Sequence, residues 1–156
     1  MINFYKGSIK GGFLMGVDPY KNFRFLVEID GIIQASFSEA SGYGSDIEVV
    51  EFREGGDSAT MRKLPGKVSY SDITLKRGIT DSHELYDWHL AAVSGQIQRK
   101  NGSIIILDDT GTEKIRWNFF SAWPSKWHGP DLNSTGKDVA IESLTISCER
   151  LERALS

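Results

Sequence analysis

The run NFRFLVEIDG, residues 22–31, constrains the fold more than any other stretch. Phe23, Phe25, Val27 and Ile29 alternate with Asn22, Arg24, Glu28 and Asp30, the two-residue period of a strand with one buried face. Leu26 is the one apolar residue on the opposite parity. Asp30-Gly31 suits a two-residue hairpin turn, so IIQASFSEA reads as the returning strand and residues 22–38 as a hairpin.

The same pattern recurs down the chain. After the loop SGYGSD, the segment from Ile47 to Glu54 carries apolar side chains on both parities, as in a bulged strand or one with neighbours on both sides. KVSYSDITLKRG puts Val68 and Tyr70 on one parity and Ile73 and Leu75 on the other, which predicts a bulge near Ser71-Asp72. SIIILDDTGTEKIRWNFF reads as two strands around a turn at Asp108–Gly111. AWPSKWHGPDLNSTG reads as an aromatic loop, and KDVAIESLTISCERLER as a long last strand with a bulge near Glu142-Ser143. One helix is expected in TDSHELYDWHLAAVSG: Asp81 or Ser82 as cap, Glu84 completing a capping box, Leu85, Trp88, His89 and Ala92 on one face, Gly95 as terminator. The fold class is therefore mainly β, a β-rich α+β arrangement. Bulged antiparallel strands imply a small barrel or sandwich with one flanking helix.

A length of 156 residues fits a single domain, and sixteen glycines accord with many turns. Acidic and basic residues (21 and 18) are spread along the chain to a net charge of −3, so no basic tract exists to neutralise nucleic-acid phosphates. Cys148 stands alone in an alternating segment and reads as a small buried hydrophobe. Residues 1–17 form a leader before Asp18-Pro19 without a sustained apolar run, which argues against membrane anchoring and for a chain made in the cytoplasm.

No chemistry emerges. His83 and Asp87 are spaced as an exposed helical ion pair, and His89 lies about 120° round the helix from them, so the three cannot converge on a metal. His128 is isolated, and Asp108-Asp109 is explained by its turn. Gly11-Gly12 and Gly55-Gly56 lack the order of a phosphate loop, and GDSAT is not a nucleophile elbow. No catalytic, cofactor-binding or metal-binding residue is assigned, and a small hydrolase has little support. Trp117, Trp123, Trp127, Phe119 and Phe120 read as core and rim packing before they read as a ligand platform.

The segment from Arg53 to Gly66 is a polar arm without core-facing periodicity. Ordering a dozen residues costs more than burial of Met61 and Leu64 returns, so the arm needs a partner. A chain that pairs with a neighbouring sheet edge supplies one. The interface residues expected are Arg53, Glu54, Gly55, Gly56, Met61, Arg62, Lys63, Leu64 and Pro65, with Gly55-Gly56 and Pro65-Gly66 as hinges and Met61 and Leu64 as anchors.

DPYKNFRFLVEIDG, EFREGG, RKLPGK, ITLKRGITDSHELYDWH, RKNGSIIILDDTGTEKIRWNF and AWPSKWHGPDLNSTGKDVAIESLTISCERLE, in this order, resemble the inner-tube proteins of contractile phage tails and extracellular contractile injection systems. More distant kin are the haemolysin-coregulated tube proteins of type VI secretion. The resemblance covers about residues 18–153 and implies a non-catalytic protomer of hexameric rings that stack into a hollow needle driven by sheath contraction. It implies that residues 53–66 contact neighbouring subunits or rings. The partners implied are the same chain, a sheath protein, baseplate or spike and tube-terminating proteins, and lumen cargo of DNA or protein effector. The location implied is a phage tail or tail-like particle released from the cell. Asp81, Glu84 and Asp87 become the expected sheath-facing carboxylates of an outward helix. The competing reading is a secreted β-barrel binding or effector module that uses the Trp123–Trp127 loop.

Overall fold

A computed structural model describes residues 24–34, 37–53, 55–56 and 60–155. The leader 1–17, the Asp18-Pro19 boundary and Glu54 lie outside the described residues. The described chain is antiparallel β structure with one helix.

Strand β1 (Arg24–Ile29) and the short β2 (Ile32–Gln34) form the first hairpin. Asp30 and Gly31 both hold positive φ, 53° and 77°, the backbone a two-residue turn requires. Val27 and Ile29 are buried as their alternation demands. The returning strand is shorter than expected. Phe37–Ser41 is a separate strand, β3, which pairs with a strand from later in the chain.

Next come β4 (Ser45–Phe52) and β5 (Arg62–Tyr70), which pair with each other in a two-stranded sheet of their own. β6 (Ile73–Gly78) leads to helix α1 (Glu84–Val93), followed by β7 (Lys100–Leu107), the sixteen-residue β8 (Glu113–His128), β9 (Ile141–Ser147) and β10 (Arg150–Arg153). The main sheet runs β2-β1-β7-β8-β9-β6-β3, with β10 also on β8. Its two outermost strands, β2 and β3, are consecutive in the chain. Gln34 and Phe37 can stand at most ~11 Å apart, whereas seven strands laid flat span about 29 Å. The sheet therefore curls back on itself around a core of Val27, Ile73, Ile104, Phe119 and Ile146.

Two of the expected bulges are something else. Ser71-Asp72 is the joint where the chain passes from the β4–β5 hairpin into the main sheet, and the Ser71 N–H donates to the Gly44 carbonyl (3.0 Å) to close the hairpin's base. Parity switches there because Val68 is exposed while Ile73 is core. Near Glu142-Ser143 the switch has the same origin: Val139 precedes β9 and is 74% exposed, whereas Leu144 and Ile146 are buried. Within the main sheet the register shifts between Phe37 and Glu39 of β3 and at several points along β8. Its register with β7 shifts between Lys100 and Gly102, Ser121 has φ of 53°, and the Asn101 side chain accepts from the Ser121 N–H at 2.9 Å. Along the opposite edge β9 and β10 follow in succession, interrupted at Cys148-Glu149. Cys148 is half-buried, and burial first, then the nearby Asp72 charge, pushes its thiol up. AWPSKWH is accordingly the second half of a strand, not an aromatic loop.

Gly102 is required where the Phe119 ring crosses β7: a Cβ there would lie 2.3 Å from the ring and 2.4 Å from the Glu28 carbonyl oxygen. Gly102→Ala should cost about 1–3 kcal/mol of stability by overpacking, measured by thermal unfolding. No loss would mean that both the ring and the β1 backbone at Glu28 move aside freely.

α1 covers one side of the core with Leu85 and Trp88. The Trp88 indole N–H donates to the Gln98 carbonyl at 2.7 Å, and Gly95, at φ 90°, ends the helix. The N-terminus differs from expectation. His83 occupies the cap position without a side-chain cap bond, because the Ser82 carbonyl accepts from Arg77 (3.3 Å) and the Ser82 N–H donates to Thr80 (3.2 Å). First-turn Glu84 and Asp87 complement the helix dipole instead.

The turn between β7 and β8 is held by Asp108, whose carboxylate accepts from the Thr110 hydroxyl (2.6 Å) and from the Thr110 and Thr112 N–H groups (2.9 Å each). The Thr110 hydroxyl bond first, then the Thr112 amide, lower its pKa to about 2. A depressed folded pKa means that its contribution to the turn is complete above the ordinary carboxylate range and lost as pH falls through about 2. Carboxyl NMR should therefore show Asp108 still ionised at a pH where exposed aspartates are protonated; titration alongside them would contradict these bonds.

Candidate assembly surface

The β4–β5 hairpin is the outstanding surface feature. Every residue of β4 is exposed, and only Gly66 and Tyr70 of β5 are partly covered. Pairing runs from Ser45↔Tyr70 at the base to Phe52↔Arg62 near the tip, with a register shift between Ile47 and Val49. Beyond that bulge, cross-strand partners share a face. One face carries Val50, Leu64 and Phe52 with Arg62; the other carries Val49, Pro65, Glu51 and Lys63. Glu51 directly opposite Lys63 is a favourable charge pair, and Val50 opposite Leu64 is an apolar one.

The expected arm, residues 53–66, is thus only partly irregular. Arg62–Gly66 belongs to β5, and Pro65-Gly66 sits inside a strand, so it is no hinge. A Cβ on Gly66 would stand 2.7 Å from Glu48 Oε1 and 2.8 Å from the Val50 side chain, so glycine there serves close cross-strand approach at the bulge. Gly55 and Gly56 lie in the tip turn, Gly56 with φ of 92°. Arg53 and Met61 flank the two strand ends and are exposed. Met61 (45% exposed) and Leu64 (42%) are uncovered within the chain, as anchors for a neighbour must be. Ile47, Val49, Val50, Phe52 and Val68 are also exposed and were missing from the expected set, although the two-sided apolar content of residues 47–52 signalled them. A lone hairpin is marginal in water, and contiguous apolar exposure of this kind marks an interaction surface.

The helix presents a second surface. Asp81, Glu84 and Asp87 are all exposed, and Asp87 Oδ2 lies 2.6 Å from His83 Nδ1, the i,i+4 contact that their spacing predicts. His89 instead faces the Pro124 carbonyl at 3.2 Å. Beside the carboxylates runs an exposed stripe of Tyr86, Leu90 and Val93. Among the described residues no group of His, Cys, Asp and Glu is arranged to hold a metal ion, and no helix is long and apolar enough to cross a membrane.

Trp127 has structural work. Its indole N–H donates to Glu142 Oε2 (3.3 Å), its ring meets Tyr86 edge-on at 4.9 Å, and Glu142 Oε1 accepts from the buried Arg77 at 2.8 Å. Trp123 pairs with Ser147 in the sheet. The Trp123–Trp127 segment offers no ligand-binding loop.

Residues 21–152 match the family model described as T4-like virus tail tube protein gp19. The chain belongs to this tail tube family. Its members are structural tail components, not enzymes. Among solved structures, the extracellular contractile injection system PVC sheath/tube terminator in the extended state is 26% identical, with a TM-score of 0.81 over 89% of this chain and 99% of that one. The anti-feeding prophage tube-terminating cap is 24% identical, with a TM-score of 0.83 over 96% and 100%. Hcp1 from Flavobacterium johnsoniae shares the fold at 18% identity, TM-score 0.56, over 83% and 94%. Among curated proteins nothing matches.

Proposed function

We propose that this chain is a one-domain protomer of the inner tube of a contractile injection system or phage tail, stacked as hexameric rings into a hollow needle that sheath contraction drives forward. The observation that carries this is the β4–β5 hairpin, apolar on both strands and exposed along its length, on a chain of the tail tube family. The neighbouring contractile injection system structures, sheath/tube and baseplate assemblies among them, support sheath, baseplate and terminator partners. The same likeness supports a place in a tail-like particle outside the cell; DNA or protein effector as cargo in the lumen is the further part of this proposal.

In this reading the hairpin, from Arg53 to Pro65 and on into both strands, ties subunit to subunit, and the α1 face with Asp81, Glu84 and Asp87 meets the sheath through weak, reversible charge contacts. Size-exclusion chromatography with negative-stain microscopy tests the whole: rings and tubes are expected at high concentration or with baseplate partners. A chain that stays monomeric under both conditions is not a tube protomer. Amide exchange gives a second readout. Residues 46–69 should exchange fast in the protomer and slowly in the tube, and equal rates in the two states would remove the hairpin from the interface.

A further inference from the structure

The curled sheet has an open seam. β1 pairs with β7 along its whole length, from Arg24↔Leu107 to Ile29↔Gly102, but with β2 only from Val27 to Ile29. Among the described residues Arg24, Phe25 and Leu26 therefore have no neighbouring strand on the β2 side, and β3, which pairs with β6 alone, has none on its other side. A cavity of about 230 Å³ bridges the two edges, with Phe25 of β1, Ala40 of β3, Tyr43, and Ile104 and Ile106 of β7 among its walls. That is roomier than the ~150 Å³ that accepts a benzene ring. Its polar lining is already engaged: the Ser38 hydroxyl donates to the Lys76 carbonyl at 3.2 Å, and the Glu39 carboxylate meets the Lys76 ammonium at 3.5 Å. Phe25 stays half-buried although Val27 and Ile29, on the same face of β1, are buried. Unpaired strand edges over an apolar floor are what an added strand with an apolar side chain fits.

We infer that this seam is a strand-acceptor site and that its occupant is the chain's own segment Phe13–Val17, folded back on Asn22–Leu26. The segment joins β1 at the open end of the seam, so closing it costs little loop entropy. Asp18-Pro19-Tyr20-Lys21 has Asp at the first and Pro at the second position of a type I turn, the turn around which four-residue hairpin loops are built. That loop makes Val17↔Asn22 the closing pair. Counting on from it, Met15 falls opposite Arg24, Leu14 opposite Phe25 and Phe13 opposite Leu26. Cross-strand partners share a face, so Leu14 enters the cavity beside Phe25. Phe13 joins Leu26, which stands across from Ile105 on the other face of β1; this gives Leu26, the apolar residue of the opposite parity, a packing partner. Val27 already pairs with Gln34, so the added strand ends where β2 begins, and Gly11-Gly12 supplies the freedom to turn the chain away there. The segment thus matches the gap in length, parity and chemistry. The inference concerns the single chain and stands apart from the tube reading.

Cysteine pairing tests this on the full-length protomer in a Cys148→Ser background. Met15→Cys combined with Arg24→Cys should oxidise to an intrachain disulfide, seen as a faster-migrating monomer on a non-reducing gel. Gly16→Cys combined with Arg24→Cys places the two thiols on opposite faces and should oxidise about tenfold more slowly. Equal rates mean that the segment holds no register on β1, and a disulfide-linked dimer means that a second copy fills the seam; either result overturns the inference. Thermal unfolding gives an independent readout. Leu14→Ala, which empties the cavity, should lower the melting temperature by about 5–10 °C, whereas Met15→Ser, beside the exposed Arg24, should leave it nearly unchanged. A loss for Leu14→Ala no larger than that for Met15→Ser overturns the inference.

Discussion

Replacing Glu142 with alanine should lower the unfolding free energy by about 3–5 kcal/mol, the cost of leaving a buried charge without its partner. The Arg77 side chain is 5% exposed and that of Glu142 18%, with Nε to Oε1 at 2.8 Å. Among the described residues, Arg77 also meets the Ser82 carbonyl at 3.3 Å and the face of Phe37 at 5.6 Å, neither of which balances a full charge. Glu142 also accepts from Trp127, so the substitution frees the indole that props Tyr86 and the start of α1. At about 2–4 °C per kcal/mol for a domain of this size, the melting temperature should fall by roughly 10 °C. Arg77→Met with Glu142→Leu should recover most of the loss, because the penalty belongs to the unpaired charge and not to the absence of a salt bridge. Denaturant unfolding should be done on a non-assembling background, since assembly itself stabilises the folded chain. A Glu142→Ala loss below about 0.5 kcal/mol would mean that water reaches the guanidinium.

Excising the hairpin should have the opposite profile, a large effect on assembly and a small one on the fold. Ser45 and Tyr70 are cross-strand partners at its base, so removing 46–69 and joining the ends through two glycines spans a gap the chain already closes. Among the described residues β4 and β5 pair only with each other and place no residue among the buried core. The remaining sheet should melt within a few degrees of the intact protein, and sedimentation and microscopy should show no tubes. If the excised protein still forms tubes of normal length, the hairpin is not the tie. If it fails to fold, the hairpin is part of the domain and its exposure has another explanation.

Local signals were legible in the sequence where one residue or one turn decides the outcome. Asp30-Gly31 reads as a hairpin because both residues must hold positive φ, and the two-residue period of β1 places Val27 and Ile29 in the core. Leu85, Trp88 and Gly95 report the helix's buried face and its end for the same reason. What could not be read locally was pairing between distant segments. A change of parity looks the same whether a strand bulges or leaves one environment for another, so Ser71-Asp72 and Glu142-Ser143 read as bulges. The Trp123–Trp127 segment read as a loop because proline, glycine and polar residues surround it, whereas pairing with β9 across a bulge keeps it in strand.

The arm shows the same division. From sequence alone, residues 53–66 are too polar and too long to repay their ordering on their own subunit, and Met61 and Leu64 have no place in a periodic core. That much follows from conformational entropy and side-chain chemistry, which travel with the chain. That Arg62–Gly66 pairs back on β4 and that Val50 and Phe52 share a face with Leu64 were decided by tertiary structure. A register between strands is fixed only when the whole sheet has chosen its order, and no window of sequence contains that choice.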